Sequence, residues 1–95
     1  MTLPHTLTQE EALRRIRGEI ERLKTQYADK IGSLREGWNN HTYSFEVMAM
    51  GFKIPGAMIV RPFQVEIQAD LPWLAMGIKG RIEATIRERM GSLLA

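Results

Sequence analysis

The chain has 95 residues, 44% hydrophobic and 25% charged, a composition that excludes a disordered polymer and suits one domain over residues 1–95. It contains no cysteine, which excludes disulfides, thiolate nucleophiles and cysteine-held zinc or iron–sulfur sites. Thirteen Lys and Arg against eleven Asp and Glu leave a net charge of +2, too even a balance for a nucleic-acid binder.

No apolar run approaches the ~20 residues that span a bilayer, and the first residues lack the basic-then-apolar pattern of a secretory signal. The first element predicted is a helix from residue 8 to about residue 31. Thr8-Gln9-Glu10-Glu11 has the form of a capping box, in which the Thr hydroxyl and the Glu carboxylate each satisfy an orphan amide. Leu13, Ile16, Ile20, Leu23 and Tyr27 then recur at helical spacing and form one apolar stripe. The other faces carry Arg14, Arg15, Arg17 and Arg22 among Glu10, Glu11, Glu19 and Glu21, so that the basic cluster is neutralised locally. Gly32 is placed to stop this helix.

Between Ser33 and Asp70 the period changes to two. Tyr43, Phe45, Val47 and Ala49 alternate with Thr42, Ser44, Glu46 and Met48, and Phe63, Val65, Ile67 and Ala69 alternate with Gln64, Glu66, Gln68 and Asp70. These are half-buried strands. Asn39-Asn40 suits a tight hairpin after Leu34–Trp38, because Asn tolerates positive φ. Arg61-Pro62 separates the Ala57–Val60 run from the last strand. A second helix follows from about Ile78 to Leu93, with Ile78, Ile82, Ile86, Met90 and Leu93 on its buried side. The expected fold is α+β: an antiparallel three- to four-stranded sheet with an N-terminal and a C-terminal helix packed on one face.

Two apolar groups fall outside that plan. Met48 and Met50 share the parity of Glu46, and the Ala57–Val60 run is apolar on both parities, which adds Met58. A strand with two apolar sides is usually covered on both, so these methionines mark a candidate interaction surface on the helix-free face. Trp73, Leu74 and Met76 form a second apolar group at the strand-to-helix junction.

Residues with catalytic chemistry are few. His5 and His41 are the two imidazoles, and neither has a partner at metal-ligand spacing. Glu46 and Glu66 fit a carboxylate pair in principle, but their neighbours Ser44, Gln64 and Gln68 suit a solvated face. Gly51, Gly56, Gly77 and Gly80 are too dispersed for a phosphate loop. No cofactor site, metal site or nucleophile is expected, and the chain does not read as an enzyme.

Pro4-His5-Thr6-Leu7 leads into Glu11-Ala12 and the charged first helix; Trp38 to Phe45 forms a hairpin; Leu71-Pro72-Trp73-Leu74 precedes Ile78-Lys79-Gly80-Arg81-Ile82-Glu83. In this order, across nearly the whole chain, the motifs resemble the putative polyhydroxyalkanoic acid system protein family, small proteins encoded beside polyhydroxyalkanoate synthesis and utilisation genes. Only three residues precede Pro4, where the family pattern has a longer lead-in, so an N-terminal edge strand is left open. The resemblance implies an association with storage-granule metabolism and carries no catalytic residues across. The expectation is a cytoplasmic, non-enzymatic accessory protein, homodimeric, acting on the polyhydroxyalkanoate granule surface or on granule proteins. The alternative is a small acyl-ligand or lipid carrier, which at this size needs a dimer to enclose a ~300 Å³ pocket.

Overall fold

The computed structural model describes residues 1–29, 32–49, 51–70, 77 and 79–95. In chain order they form β1 (Thr2–Pro4), α1 (Gln9–Gln26), β2 (Ser33–Asn39), β3 (Thr42–Ala49), β4 (Phe52–Val60), β5 (Gln64–Ala69) and α2 (Lys79–Leu93). The five strands make one antiparallel sheet in the order β1-β5-β4-β3-β2. The α+β fold with an N-terminal and a C-terminal helix is as the sequence implies. The sheet has one strand more than expected, because residues Thr2–Pro4 do add an edge strand, pairing Leu3 with Val65.

α1 starts at its cap: the Glu11 amide donates to Thr8 Oγ1 at 3.1 Å. The other half of the expected capping box is diverted, since the Glu11 carboxylate takes hydrogen bonds from Arg14 and Arg15. The helix ends earlier than Gly32. Tyr27 is the C-cap, with φ −111° and ψ 21°. Gly32 N already donates to Met48 O at 2.9 Å, so the chain is in the sheet by then and must leave the helix several residues before.

Two-residue connections set the sheet register. Asn40 holds a φ of 57° in the turn between Asn39 and Thr42. Gly51 holds 81° between Ala49 and Phe52. That second turn makes the paired residue numbers sum to an odd value, so odd positions of β3 share a face with even positions of β4. Tyr43 therefore pairs with Met58, and Met58 with Ile67. Pro55 is tolerated in a central strand for a positional reason. Its carbonyl accepts from Asp70 N at 3.0 Å, just past the last residue of β5, so the missing Pro N–H points where the neighbouring ladder has ended.

The core lies under both helices at the β1–β5–β4 side of the sheet. Leu3, Val60 and Val65 meet Ala12, Leu13 and Ile16 from α1 and Met90 and Leu94 near the end of α2. Val60, Val65 and Ile16 are at most 1% exposed. Phe63, expected to start β5 on the core side, is 78% exposed. It lies in the Arg61–Phe63 loop before β5, where its carbonyl accepts from His5 N just past the end of β1. Ile78 lies outside the described residues, and α2 is described from Lys79.

Candidate functional site

The residues singled out from the sequence go to several places. Met48 lies on the helix-free face, paired with Ser33 on β2 and Lys53 on β4. Met58 does not join it. It points to the helix side between Tyr43 and Ile67 and packs against the core. The expected methionine cluster thus loses its centre, for the register reason given above. Met50, Trp73, Leu74 and Met76 lie outside the described residues. The helix-free face carries Met48, Pro55, Ala57 and Ile59 among Glu46, Lys53, Gln64, Glu66 and Gln68, a mixed surface with ion pairs at its edges.

Each histidine bridges two segments of the chain. His5 is 7% exposed, and its Nε2 stands 2.9 Å from Arg61 O. A carbonyl can only accept, so Nε2 donates to it, and Nδ1 has no partner among the described residues. With the His5 amide bonded to Phe63 O, the residue fastens the end of β1 to the loop before β5. His41, in the β2–β3 turn, contacts the Glu10 carboxylate at 2.8 Å and ties that turn to the start of α1. Glu46 and Glu66 do not form a carboxylate pair. Glu46 is opposite Pro55 and near Lys53, while Glu66 is bound by Arg61 at 3.1 Å. Among the described residues no three His, Asp or Glu side chains are placed to hold a metal.

A polar network absent from the sequence reading joins α1 to the sheet. Lys24 Nζ lies 2.9 Å from Glu36 and 3.1 Å from Glu21. Glu36 projects from the helix side of β2, close to the Tyr43 hydroxyl. Burial, then the adjacent Glu36 charge and hydrogen bond, push the Tyr43 phenol up to about 12. Arg17 sits 4.7 Å from the centre of the Trp38 ring, a cation–π contact over the same part of the sheet. Trp38, Tyr43 and Phe45 form a run of ring contacts with centroids 5.0 and 5.6 Å apart.

Two clefts open beside the helices. One, of about 710 Å³, lies between α1 and α2 and is lined by Glu19, Arg22, Gln26, Thr85, Glu88 and Arg89, so its walls are charged. The other, of about 270 Å³, lies between the first half of α2 and the β1–β5 side of the sheet. Its floor is Met1, Ile67, Ala69, Ile82 and Ile86, and Asp70, Lys79 and Glu83 stand around it. Ile82 and Ile86 also line a shallow apolar hollow with Arg81 and Thr85. An apolar floor edged by single charges can receive an apolar group while the surface stays wettable. The alternation of α2 gave Ile82 and Ile86 as buried; both are only partly covered.

These features define a two-layer α+β protein: a five-stranded antiparallel sheet with two helices and an apolar cleft beside the second helix. Residues 1–94 match the family described as putative polyhydroxyalkanoic acid system protein, and the chain belongs to that family. No curated protein and no solved structure matches the chain.

Proposed function

We propose that the protein is a non-enzymatic accessory of polyhydroxyalkanoate metabolism, working in the cytoplasm as a homodimer and docking on storage granules or on the proteins that coat them. The reading rests on the family match over residues 1–94. The apolar strip of Ile82 and Ile86 on α2, continuous with the cleft floored by Met1, Ile67 and Ala69, supports it. A hydrophobic polymer surface removes water from such side chains at roughly 25 cal/mol per Å², while Arg81, Lys79 and Glu83 keep their charges at the aqueous boundary. The second reading, an acyl-chain carrier, would use the same cleft. At about 270 Å³ and open to solvent, it falls below the roughly 300 Å³ at which enclosing ligand pockets begin.

The test is co-sedimentation of the purified protein with isolated granules, with phospholipid vesicles of similar size as the comparison. Ile82→Glu places a charge in the strip at a residue outside the packed core. Granule binding that is lost in this variant, with the circular dichroism spectrum unchanged, supports docking through α2. Wild-type protein that stays in the supernatant with granules refutes the reading. Saturable binding of a free fatty acid without granule binding replaces it with the carrier.

A further inference from the structure

The two edges of the sheet differ. β1 is three residues long and ends in a proline, so it offers little to a further strand. β2 is seven residues long, and among the described residues its only ladder is to β3. A two-residue loop joins Asn39 to Thr42, so those two close the hairpin by exchanging both backbone hydrogen bonds. Peptide groups alternate sides along a strand. Gly37 therefore also bonds inward to β3, and the N–H and C=O groups of Leu34, Glu36 and Trp38 point out from the open edge.

We propose that two copies of this chain join along β2 into one continuous ten-stranded antiparallel sheet, with the two-fold axis at Gly37. The charges choose the register. Only axes at residues 35, 36 and 37 keep five or more residues of β2 paired with the second copy. An axis at Arg35 sets Arg35 opposite Arg35, and one at Glu36 sets Glu36 opposite Glu36; like charges directly opposed are unfavourable. An axis at Gly37 opposes glycine to glycine, Arg35 to Asn39 and Glu36 to Trp38. It also makes Glu36 and Trp38 a hydrogen-bonded pair on each side of the axis, using the outward groups of both. Space allows it: a Cβ built on Gly37 meets nothing within 4 Å. α1 approaches the sheet over β4, two strands in from the edge. Further along α1, the long side chains of Arg17 and Lys24 reach out to Trp38 and Glu36 on β2.

This deepens the homodimer part of the function proposed above and is independent of granule binding. A monomer that still sediments with granules overturns the surface and leaves the partner standing.

The experiment is sedimentation velocity over a concentration series with charges placed on the axis. Gly37→Lys and Gly37→Glu each bring like charges face to face and should weaken the dimer about two- to fivefold while the melting curve of the monomer is kept. Mixing the two variants should restore a dimer near wild-type strength, because Lys then faces Glu only if residue 37 lies on the axis. A wild-type protein that is monomeric at ~100 μM, or a Gly37→Lys variant that dimerises like wild type, overturns the proposal. Amide exchange of the unaltered protein is a second readout. The Glu36 and Trp38 amides should be protected in concentrated solution and should lose that protection on dilution; concentration-independent exchange at both overturns it.

Discussion

Gly56→Ala tests how the centre of the sheet is packed. A Cβ added at Gly56 would stand 2.6 Å from Gln68 O and closer still to the Phe45 ring, distances that real Cβ atoms do not show. Phe45 is directly opposite on β3, so its ring lies over the glycine and fills the space a side chain would take. The Gln68 carbonyl belongs to β5 backbone and cannot turn away without disturbing the β4–β5 ladder. The ring can turn, at the loss of its stacking on Tyr43, worth roughly 0.5–1.5 kcal/mol. Overpacking adds about 1–3 kcal/mol, so the whole cost is about 2–4 kcal/mol. In a domain of this size about 1 kcal/mol moves Tm by roughly 4–8 °C, giving a fall of roughly 8–32 °C. The control is Gly37→Ala, where the added methyl meets nothing within 4 Å and Tm should hold or rise slightly. Thermal unfolding followed by circular dichroism gives both values. Equal melting temperatures for the two variants would refute the argument. A double variant with Phe45→Ala should show coupling, because part of the Gly56→Ala cost is then already absent.

Other outcomes follow from the packing and the charges. Ile16→Ala, at a side chain 1% exposed, should cost about 2–5 kcal/mol, and Ile20→Ala, half-buried one turn later, should cost less; equal midpoints would contradict the placement of the core. Tyr43 has a folded-state pKa raised from 10.0 to about 12, so its contribution to stability is intact below pH 10 and is lost as pH rises toward 12. In a Tyr27→Phe background, absorbance at 295 nm should show Tyr43 ionising near the upper value, and Glu36→Gln should lower it; no change would mean that Glu36 does not face the phenol. The arginines beside Glu11 hold its carboxyl at about 2, so the help it gives α1 is present above pH 4.5 and fades as pH falls toward 2. A Glu11 carboxyl that titrates near 4.5 by NMR would refute those pairs. Thr8→Ala should cost about 1 kcal/mol through loss of the cap, measured by thermal unfolding.

The legible parts of the fold were those with a local period. The 3.6-residue spacing from Leu13 to Leu23 and the two-residue alternation of β3 and β5 each state their buried side without tertiary help. β1 carries no such signal, since three residues show no period, and only the open edge of β5 makes a strand of them. Met58 was misassigned because β4 is apolar on both parities: Ile54, Met58 and Val60 face the helices, while Pro55, Ala57 and Ile59 face away. With no contrast along the strand, only the residue count through the Gly51 turn settles the face. Pro55 and Gly56 both fit a regular strand, for reasons that lie on its neighbours, Asp70 and Phe45. The Lys24–Glu36–Tyr43 network was hidden because its members lie on separate elements and become neighbours only after α1 lies across the sheet.

The pairing of β1 with β5 has a consequence for the order in which the molecule assembles. Strands β2 to β5 are joined by short turns, so each pairs with the segment just made, at little cost in loop closure. β1 has no such neighbour. Met1 N reaches Ile67 O across 66 positions, and the β1 ladder has nothing to dock on until β5 has formed. During synthesis the first strand therefore leaves the ribosome well before its template exists, and it waits through the making of every other strand. The topology thus makes β1 the strand whose pairing depends on the most distant part of the chain.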